Sequence, residues 1–159
     1  MDEWTRLERI ADYQFGAGAS DALFGETTDL RVTRSKSGRP RQIHASDGRL
    51  VSLGLDGRFT LGLAGGRRLR DALDAPAGRV SVGEESEPFV RDGRNAFAKF
   101  VTDADASIRS DDEVLVVRED GTLLGVGRAE LPAAAMADLT SGVAVSVRDG
   151  AETEPDSET

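Results

Sequence analysis

The chain has 159 residues, of which 38% are hydrophobic, and its formal net charge is −9, so it can form one ordinary domain or two small ones. The absence of cysteine excludes disulfides, thiolate zinc sites and cysteine nucleophiles. No apolar run approaches the roughly 20 residues that span a bilayer, and the first residues do not resemble a signal peptide, so we expect a cytoplasmic protein without a membrane segment.

The first half of the chain has the pattern of a small α+β domain. A helix is predicted over Glu3–Gln14, because its apolar residues share one face, and Ala19–Phe24 can add a short helical turn. A further helix is predicted over Ala64–Leu73. Between these helices, β-prone runs alternate with turn signals such as Asp-Gly, which predicts an antiparallel meander. Its strands are Leu30–Ser35, Arg41–Ala45, Arg49–Leu53 and Arg58–Leu63.

The second half predicts a β-rich module with two short helices. One helix is predicted over Asn95–Val101 with Asp92 as its N-cap, and the other starts at Pro132 and stops at Gly142. The stretch Gly83–Pro88 is predicted to be a polar loop. The predicted strands are Arg79–Val82, Glu113–Val117, Leu123–Arg128 and Val143–Val147.

A break at Asp74–Gly78 divides the two halves. The predicted domains are therefore residues 1–77 and 78–150. The remaining residues, 151–159, contain four carboxylate side chains and no apolar period, which predicts a disordered acidic tail.

Short motifs follow one another in a fixed order through most of the chain. In the second half they are Asp92-Gly-Arg-Asn95, Phe97-Ala-Lys-Phe-Val101, Ile108-Arg-Ser-Asp-Asp-Glu-Val114, Gly125-Val-Gly-Arg-Ala129, Met136 and Gly142-Val-Ala-Val145. In the first half they are Ala11-Asp-Tyr-Gln-Phe-Gly16, Ala22-Leu-Phe24, Ser35-Lys-Ser-Gly-Arg39 and Asp56-Gly-Arg-Phe-Thr-Leu61. This order resembles the PUA domain, and the domain before it, at the C-terminus of archaeal tRNA-guanine transglycosylases and archaeosine synthases. The resemblance covers about residues 7 to 148.

The resemblance implies an α+β fold in which a small pre-PUA domain precedes a PUA-type β pseudobarrel with two short helices. In that family the PUA domain docks on the acceptor stem and 3′ end of tRNA. The family's catalytic barrel, zinc site and cysteine-containing amidotransferase motif have no counterpart in this sequence. The resemblance therefore implies a non-catalytic RNA-binding protein of the archaeosine pathway that needs no cofactor or metal. The partners implied are RNA, above all tRNA, and a separate tRNA-modifying enzyme.

A second interpretation stays open, in which the chain is an assembly subunit that binds a catalytic protein of a tRNA- or rRNA-modifying complex. The charge composition bears on this choice. Lysine occurs only at Lys36 and Lys99, which favours a halophilic archaeal protein over an ordinary acidic one. A negative net charge normally argues against nucleic-acid binding, but in molar salt counterion release contributes little, so local arginines and shape can still recognise RNA.

The main candidate RNA-binding residues lie around the predicted helix over Asn95–Val101. The resemblance implies an RNA-facing surface formed by the first PUA helix, the loop before it and an adjoining strand. Guanidinium groups and the N–H groups of a helix N-terminus suit phosphate; the alternative is that these residues are ordinary solvated cations. The candidates are Arg91, Gly93, Arg94, Asn95, Lys99 and Arg148.

A second basic cluster surrounds the predicted turn near Ser37. An RNA phosphate backbone would complement it, although a solvated hairpin tip is an equal alternative. With Arg31 beside them, its candidate RNA-binding residues are Arg34, Lys36, Arg39 and Arg41. A solvated helix face is expected for Arg67, Arg68 and Arg70. His44 is the sole histidine, so we expect it to pack in a strand rather than to hold a metal.

Overall fold

The computed structural model describes residues 2–25 and 29–151. The chain divides into two compact units, unit 1 (Met1–Asp74) and unit 2 (Ala75–Thr159). Most of the predicted disordered tail lies outside the described residues. Ala151 is described and corrects the start of that tail, because it is buried and donates its N–H to the Leu124 carbonyl at 2.7 Å. The packed part of unit 2 therefore extends at least to Ala151.

Within its described residues, unit 1 combines three helices with a four-stranded antiparallel sheet, as the sequence predicts. The helices are α1 (Glu3–Phe15), α2 (Ala19–Phe24) and α3 (Leu63–Ala72). In sheet order, the strands are β1 (Arg31–Arg34), β2 (Pro40–Ala45), β3 (Gly48–Leu53) and β4 (Phe59–Leu61). The last strand ends earlier than predicted, because the chain enters α3 at Leu63.

The core of unit 1 lies between the helices and one face of the sheet. Side chains alternate along each strand, and a fully buried row crosses the sheet at Ile43, Val51 and Leu61. On the helical side, Phe24 lies between Trp4 and Phe59 in two edge-to-face contacts, with ring centroids 5.6 and 6.1 Å apart. Gln14 on α1 satisfies backbone groups of the edge strand β4, since its side-chain amide bonds both the N–H and the carbonyl of Phe59 at 2.7 Å.

Unit 2 is a nearly closed β barrel with short helices, which confirms the predicted α+β class. Its sheet has the order β6-β10-β9-β8-β5-β7, and every pair is antiparallel except β5 and β8. The strands are β5 (Arg79–Val82), β6 (Ala96–Phe97), β7 (Val101–Ala104), β8 (Glu113–Val117), β9 (Leu123–Ala129) and β10 (Val143–Gly150). The helices are α4 (Glu87–Arg91) and α5 (Ala133–Asp138). Strand β8 is central and its residues 114–117 are buried, as its unbroken apolar run predicts.

The helix predicted over Asn95–Val101 is wrong. The chain there forms β6, a 3-10 turn at Ala98–Phe100 and the start of β7. Distant partners hold this backbone, since Ala98 N–H donates to the Gly142 carbonyl at 2.9 Å and β6 pairs with β10. The helix of this region is α4, which includes part of the predicted polar loop. Helix α5 also differs slightly, because Pro132 is its N-cap and it ends at Asp138, before Gly142.

Candidate nucleic-acid interface

The loop after α4 is fixed by its own backbone hydrogen bonds. Asp92, predicted as an N-cap, is the C-cap of α4. Gly93 follows with a φ of +83°, and its N–H donates to Val90 while that of Arg94 donates to Phe89, at 2.9 and 2.8 Å. This is a Schellman motif, which requires a left-handed residue after the C-cap.

The Schellman motif changes how an RNA phosphate could be bound here. The predicted phosphate site at a helix N-terminus is wrong, because these residues follow the negative end of the helix dipole. The N–H groups of Gly93 and Arg94 are also already bonded to the helix. Contacts to phosphate at this loop must therefore come from side chains.

An open groove of about 720 Å³ lies beside this loop, and we call it the unit 2 groove. It brings together four of the six candidates of this region, namely Gly93, Arg94, Asn95 and Lys99. The other lining residues are Ser86, Phe89, Phe97 and Phe100. The groove thus combines cations with aromatic rings, which is the usual composition of a surface that binds single-stranded nucleic acid.

Strand β6 and the 3-10 turn explain why aromatic rings face the groove. Ala96 and Ala98 point into the core and are buried, so the residues between and after them, Phe97 and Lys99, point outward. Phe97 is 44% exposed, and Phe89 on α4 is 52% exposed. The structure thus exposes Phe97 and buries Ala98 in a segment that was predicted to be a helix.

The two groove cations are weakly held by the protein itself. The closest acidic partner of Arg94 is Asp92 at 3.4 Å, and both side chains are about 70% exposed, so this ion pair contributes little. The ammonium of Lys99 lies 5.0 Å from the centroid of the Phe100 ring in a cation–π contact. Both charges are therefore available to an anion at the groove.

Two of the predicted RNA-binding residues make contacts that hold unit 2 together. Arg91 pairs with Glu87 at 2.8 Å and donates to the Ala151 carbonyl at 2.9 Å, which ties α4 to the end of β10. Arg148 makes two hydrogen bonds of 2.8 Å to the carboxylate of Glu113, whose side chain is only 5% exposed. Neither arginine lines the groove.

Asn95 has both a structural role and a place in the groove. Its side-chain oxygen accepts a hydrogen bond of 3.2 Å from the backbone N–H of Val147, which fixes the orientation of its amide. The amide nitrogen then remains as a donor on a residue that lines the groove.

The basic cluster of unit 1 also contains some cations that bond to the protein itself and others that are exposed. Arg34 pairs with Glu3 through bonds of 2.9 and 2.7 Å, and this pairing lowers the pKa of Glu3 and raises that of Arg34. Arg39 donates to the carbonyls of the β3–β4 turn, Leu53 and Gly54. Lys36 and Arg41 remain exposed on the surface.

Arg41 occupies a bulge between β1 and β2, which turns it out of the regular alternation. The prediction of a solvated arginine face on α3 is also only partly right. Arg68 donates to the Leu23 carbonyl at 2.9 Å and pairs with Asp47 at 3.2 Å, so it joins α2 to the β2–β3 turn.

His44 packs within the sheet, as predicted. It stands in register with Arg31 on β1 and with Arg49 on β3, and its Nε2 lies 3.0 Å from the side-chain oxygen of Gln42. Burial, followed by the two arginine charges, lowers the pKa of His44 below its usual 6.5. Within the described residues, no group of three or more potential ligands could hold a metal ion.

Sequence reasoning missed the groove residues Ser86, Phe89, Phe97 and Phe100. The available signal was the interleaving of aromatic residues and cations between positions 89 and 100, which is typical of single-strand binding surfaces. Treating this stretch as a helix concealed the signal, because a helix would have turned Phe97 and Phe100 toward the core.

Comparison with known proteins identifies relatives for both units. Residues 5–76 match the patch-forming domain C2 of tRNA-guanine transglycosylase, and residues 78–151 match the PUA domain. The tRNA-guanine(15) transglycosylase of Methanothermobacter thermautotrophicus is 47% identical over 152 residues, which are 94% of this chain and 23% of that protein. The Pyrococcus furiosus enzyme is 45% identical over 144 residues, 90% of this chain and 24% of its own length. The chain thus spans about a quarter of these relatives.

Two solved structures share the fold over most of their length. A hypothetical protein from Pyrococcus horikoshii has a TM-score of 0.69 at 22% identity, covering 95% of this chain and 91% of its own. A conserved PUA domain protein from Thermoplasma acidophilum has a TM-score of 0.60 at 23% identity, covering 96% of this chain and 93% of its own.

None of the described helices is long and apolar enough to cross a membrane.

Proposed function

The chain belongs to the proteins in which the patch-forming domain C2 of tRNA-guanine transglycosylase is followed by a PUA domain, and from this membership we propose that it binds RNA in tRNA modification. The finer part of the proposal is that it recognises the acceptor stem and 3′ end of tRNA without itself carrying out the chemistry. The observation that carries the proposal is the unit 2 groove, where exposed aromatic rings lie beside two weakly paired cations.

The lining of the groove supports binding rather than catalysis. It contains no carboxylate and no imidazole, so it lacks the usual general bases and acids. Among the lining residues, Ser86 therefore has no carboxylate or imidazole that would activate it as a nucleophile. Arginine, lysine, asparagine and aromatic side chains remain, and these are groups that contact phosphates, base edges and base faces.

The charge of the protein predicts how its affinity depends on salt. Because the net charge is −9, the long-range field does not attract RNA, and binding depends on a few local contacts. If Arg94 and Lys99 each contact one phosphate, the logarithm of the binding constant falls with the logarithm of the salt concentration with a slope of about −1.4 to −1.8. Such a shallow slope would allow RNA binding to persist in concentrated salt.

A direct test is to titrate labelled tRNA with the full chain in a series of KCl concentrations, using fluorescence anisotropy. We expect Arg94→Ala and Lys99→Ala each to weaken binding about fivefold, which is typical of one exposed phosphate contact. Arg109→Ala is the matched control, because Arg109 is an exposed arginine of unit 2 that does not line the groove. Failure of the wild type to bind at any salt concentration, or an equal loss in Arg109→Ala, would contradict the proposal.

Unit 1 supports a second candidate function, the binding of a tRNA-modifying enzyme. Leu55 is 96% exposed at the tip of the β3–β4 turn, and that turn is held by the Gly54 N–H to Arg58 carbonyl bond of 2.8 Å and by Arg39. A fixed, fully exposed leucine suits insertion into an apolar pocket of a protein. Co-purification from extract before and after nuclease treatment tests this candidate, since a protein contact survives the removal of RNA and is weakened by Leu55→Ser.

A further inference from the structure

The chain leaves the barrel of unit 2 beside helix α4. Strand β10 ends at Gly150, whose backbone lies so close to the last turn of α4 that a Cβ there would overlap the Arg91 carbonyl. Ala151 follows, and it is held by the bond of 2.7 Å from its N–H to the Leu124 carbonyl and by the bond of 2.9 Å from Arg91 to its own carbonyl. The chain after Ala151 therefore begins next to the helix that precedes the Arg94 loop.

The segment that follows, residues 152–159, is strongly acidic, and we call it the acidic tail. It contains no lysine or arginine, and carboxylates occupy every second position. They are Glu152, Glu154, Asp156 and Glu158. In an extended chain alternate side chains lie about 6.6 Å apart. Such a segment offers a regular row of negative charges, which is also what the phosphate backbone of RNA offers to a cation.

Arg94 lies within reach of the acidic tail. Gly150 contacts the Arg91 backbone, and Arg94 is three residues further on, at most about 11 Å away along the chain, whereas eight extended residues span up to about 26 Å. The ion pair of Arg94 with Asp92, at 3.4 Å between side chains that are about 70% exposed, is too weak to hold the guanidinium against another carboxylate. Arg94 is therefore both accessible to the tail and open to exchange of its partner.

We propose that the acidic tail lies against the cationic side of the unit 2 groove, where Glu152 and Glu154 pair with Arg94, and that RNA must displace it. This inference rests on the proposed function, to which it adds regulation of the same site by a competitor within the chain. The tether keeps the local concentration of the tail on the order of mM. Exposed ion pairs are weak, so we expect the tail to lower RNA affinity about threefold to tenfold rather than to abolish binding.

Salt should control this competition. The Debye length is about 10 Å at 0.1 M salt and about 3 Å at 1 M, so exposed pairs between the tail and Arg94 are strong enough to compete only in dilute salt. Concentrated salt weakens RNA binding and releases the groove from the tail at the same time. The affinity of the full chain should therefore depend less steeply on salt than the affinity of a chain without the tail.

The experiment compares the full chain with two tail variants. One lacks residues 152–159 and keeps Ala151, so the packed part of unit 2 is intact. The other keeps the length but replaces the four carboxylates through Glu152→Gln, Glu154→Gln, Asp156→Asn and Glu158→Gln. Fluorescence anisotropy with labelled tRNA should show both variants binding about threefold to tenfold more tightly than the full chain at about 0.1 M KCl. At about 1 M KCl the three proteins should bind equally.

A double-mutant cycle with Arg94→Ala separates docking from simple repulsion between the tail and RNA. If the tail pairs with Arg94, removing the tail should raise the affinity of the Arg94→Ala protein much less than that of the wild type. A tail that only repels RNA would give the same gain in both backgrounds, and that result would overturn the proposal. Circular dichroism on every variant checks that the fold is retained.

NMR spectra without RNA test the tail contact independently of the proposed function. Removing the tail should shift the Nε–H signal of Arg94 and leave that of Arg109 in place, because Arg109 is an exposed arginine that does not line the groove. Adding about 1 M KCl to the full chain should move the Arg94 signal toward its position in the truncated chain. An Arg94 signal that ignores the tail would overturn this inference and leave RNA binding intact. A shifted signal in a protein that binds no RNA would support the tail contact and overturn the function.

Discussion

Replacing Arg148 with alanine is the sharpest test of the distinction between structural and RNA-binding arginines. Arg148 makes two bonds of 2.8 Å to a Glu113 carboxylate that is only 5% exposed. Removal of one partner of a buried ion pair costs about 3 to 5 kcal/mol, because the remaining carboxylate loses the hydrogen bonds that compensated for its burial. Arg148 is 32% exposed, so water can partly replace it, and we expect a loss of about 2 to 3 kcal/mol in the free energy of unfolding.

The loss should be visible as a fall of about 10 °C or more in the melting temperature, since each kcal/mol shifts a domain of this size by about 4 to 8 °C. Calorimetry measures it, and RNA affinity is measured well below the transition. Arg94→Ala is the counterpart, because it removes an equal charge from an exposed site. We expect Arg148→Ala to lose stability and keep RNA affinity, and Arg94→Ala to do the reverse.

A double-mutant cycle with Glu113→Gln isolates the pair itself. The losses in unfolding free energy of the two single variants should add up to more than the loss in the double variant. The reason is that a neutral glutamine at position 113 does not need a cation beside it. An Arg148→Ala variant that loses less than about 1 kcal/mol, or that stays stable and binds RNA more weakly, would refute the structural role of Arg148.

Three further predictions concern packing and ionisation. Gly127→Ala should destabilise unit 2 by about 1 to 3 kcal/mol in urea unfolding, because its Cβ would overlap the Ser146 carbonyl on β10; a neutral result would show that the two strands can move apart. Gln14→Ala should cost about 1 to 2 kcal/mol in the same assay, since it removes both bonds to Phe59, and Gln14→Glu should cost at least as much. The His44 imidazole should titrate in NMR spectra below 6.5, and stability should fall as the pH drops from 6.5 toward that lower folded pKa, because the unfolded chain takes up the proton first; a midpoint above 6.5 would contradict the burial argument.

The parts of the fold that depend on neighbours in sequence were predictable. Asp-Gly turns predicted hairpins in unit 1, and the unbroken apolar run at 114–117 predicted the central strand β8. These features depend on local backbone preferences and on burial on both faces, which a single sequence contains. The PUA resemblance added the barrel, which no local pattern indicates.

The parts that depend on distant partners were not predictable. Around Phe97 the apolar spacing also fits a helix. A strand forms there because its backbone pairs with β10 and donates a hydrogen bond to the Gly142 carbonyl. The role of Arg148 depends on Glu113, which lies 35 positions away in sequence. The same limit applies to the unit 2 groove, because Ser86 and Phe89 meet Lys99 only after the Schellman motif reverses the chain at Gly93.

The position of Trp4, which packs against Phe24 in unit 1, determines what optical spectroscopy of this protein reports. Trp4 is the only tryptophan and Tyr13 the only tyrosine of the chain, and both lie in unit 1. The aromatic rings of unit 2 are therefore all phenylalanines, which absorb only weakly in the near ultraviolet. Intrinsic emission follows unit 1 alone, while a fluorescent RNA added to the protein can be excited without background from the residues of unit 2. The two units can thus be observed separately in one cuvette, without attaching a dye to either.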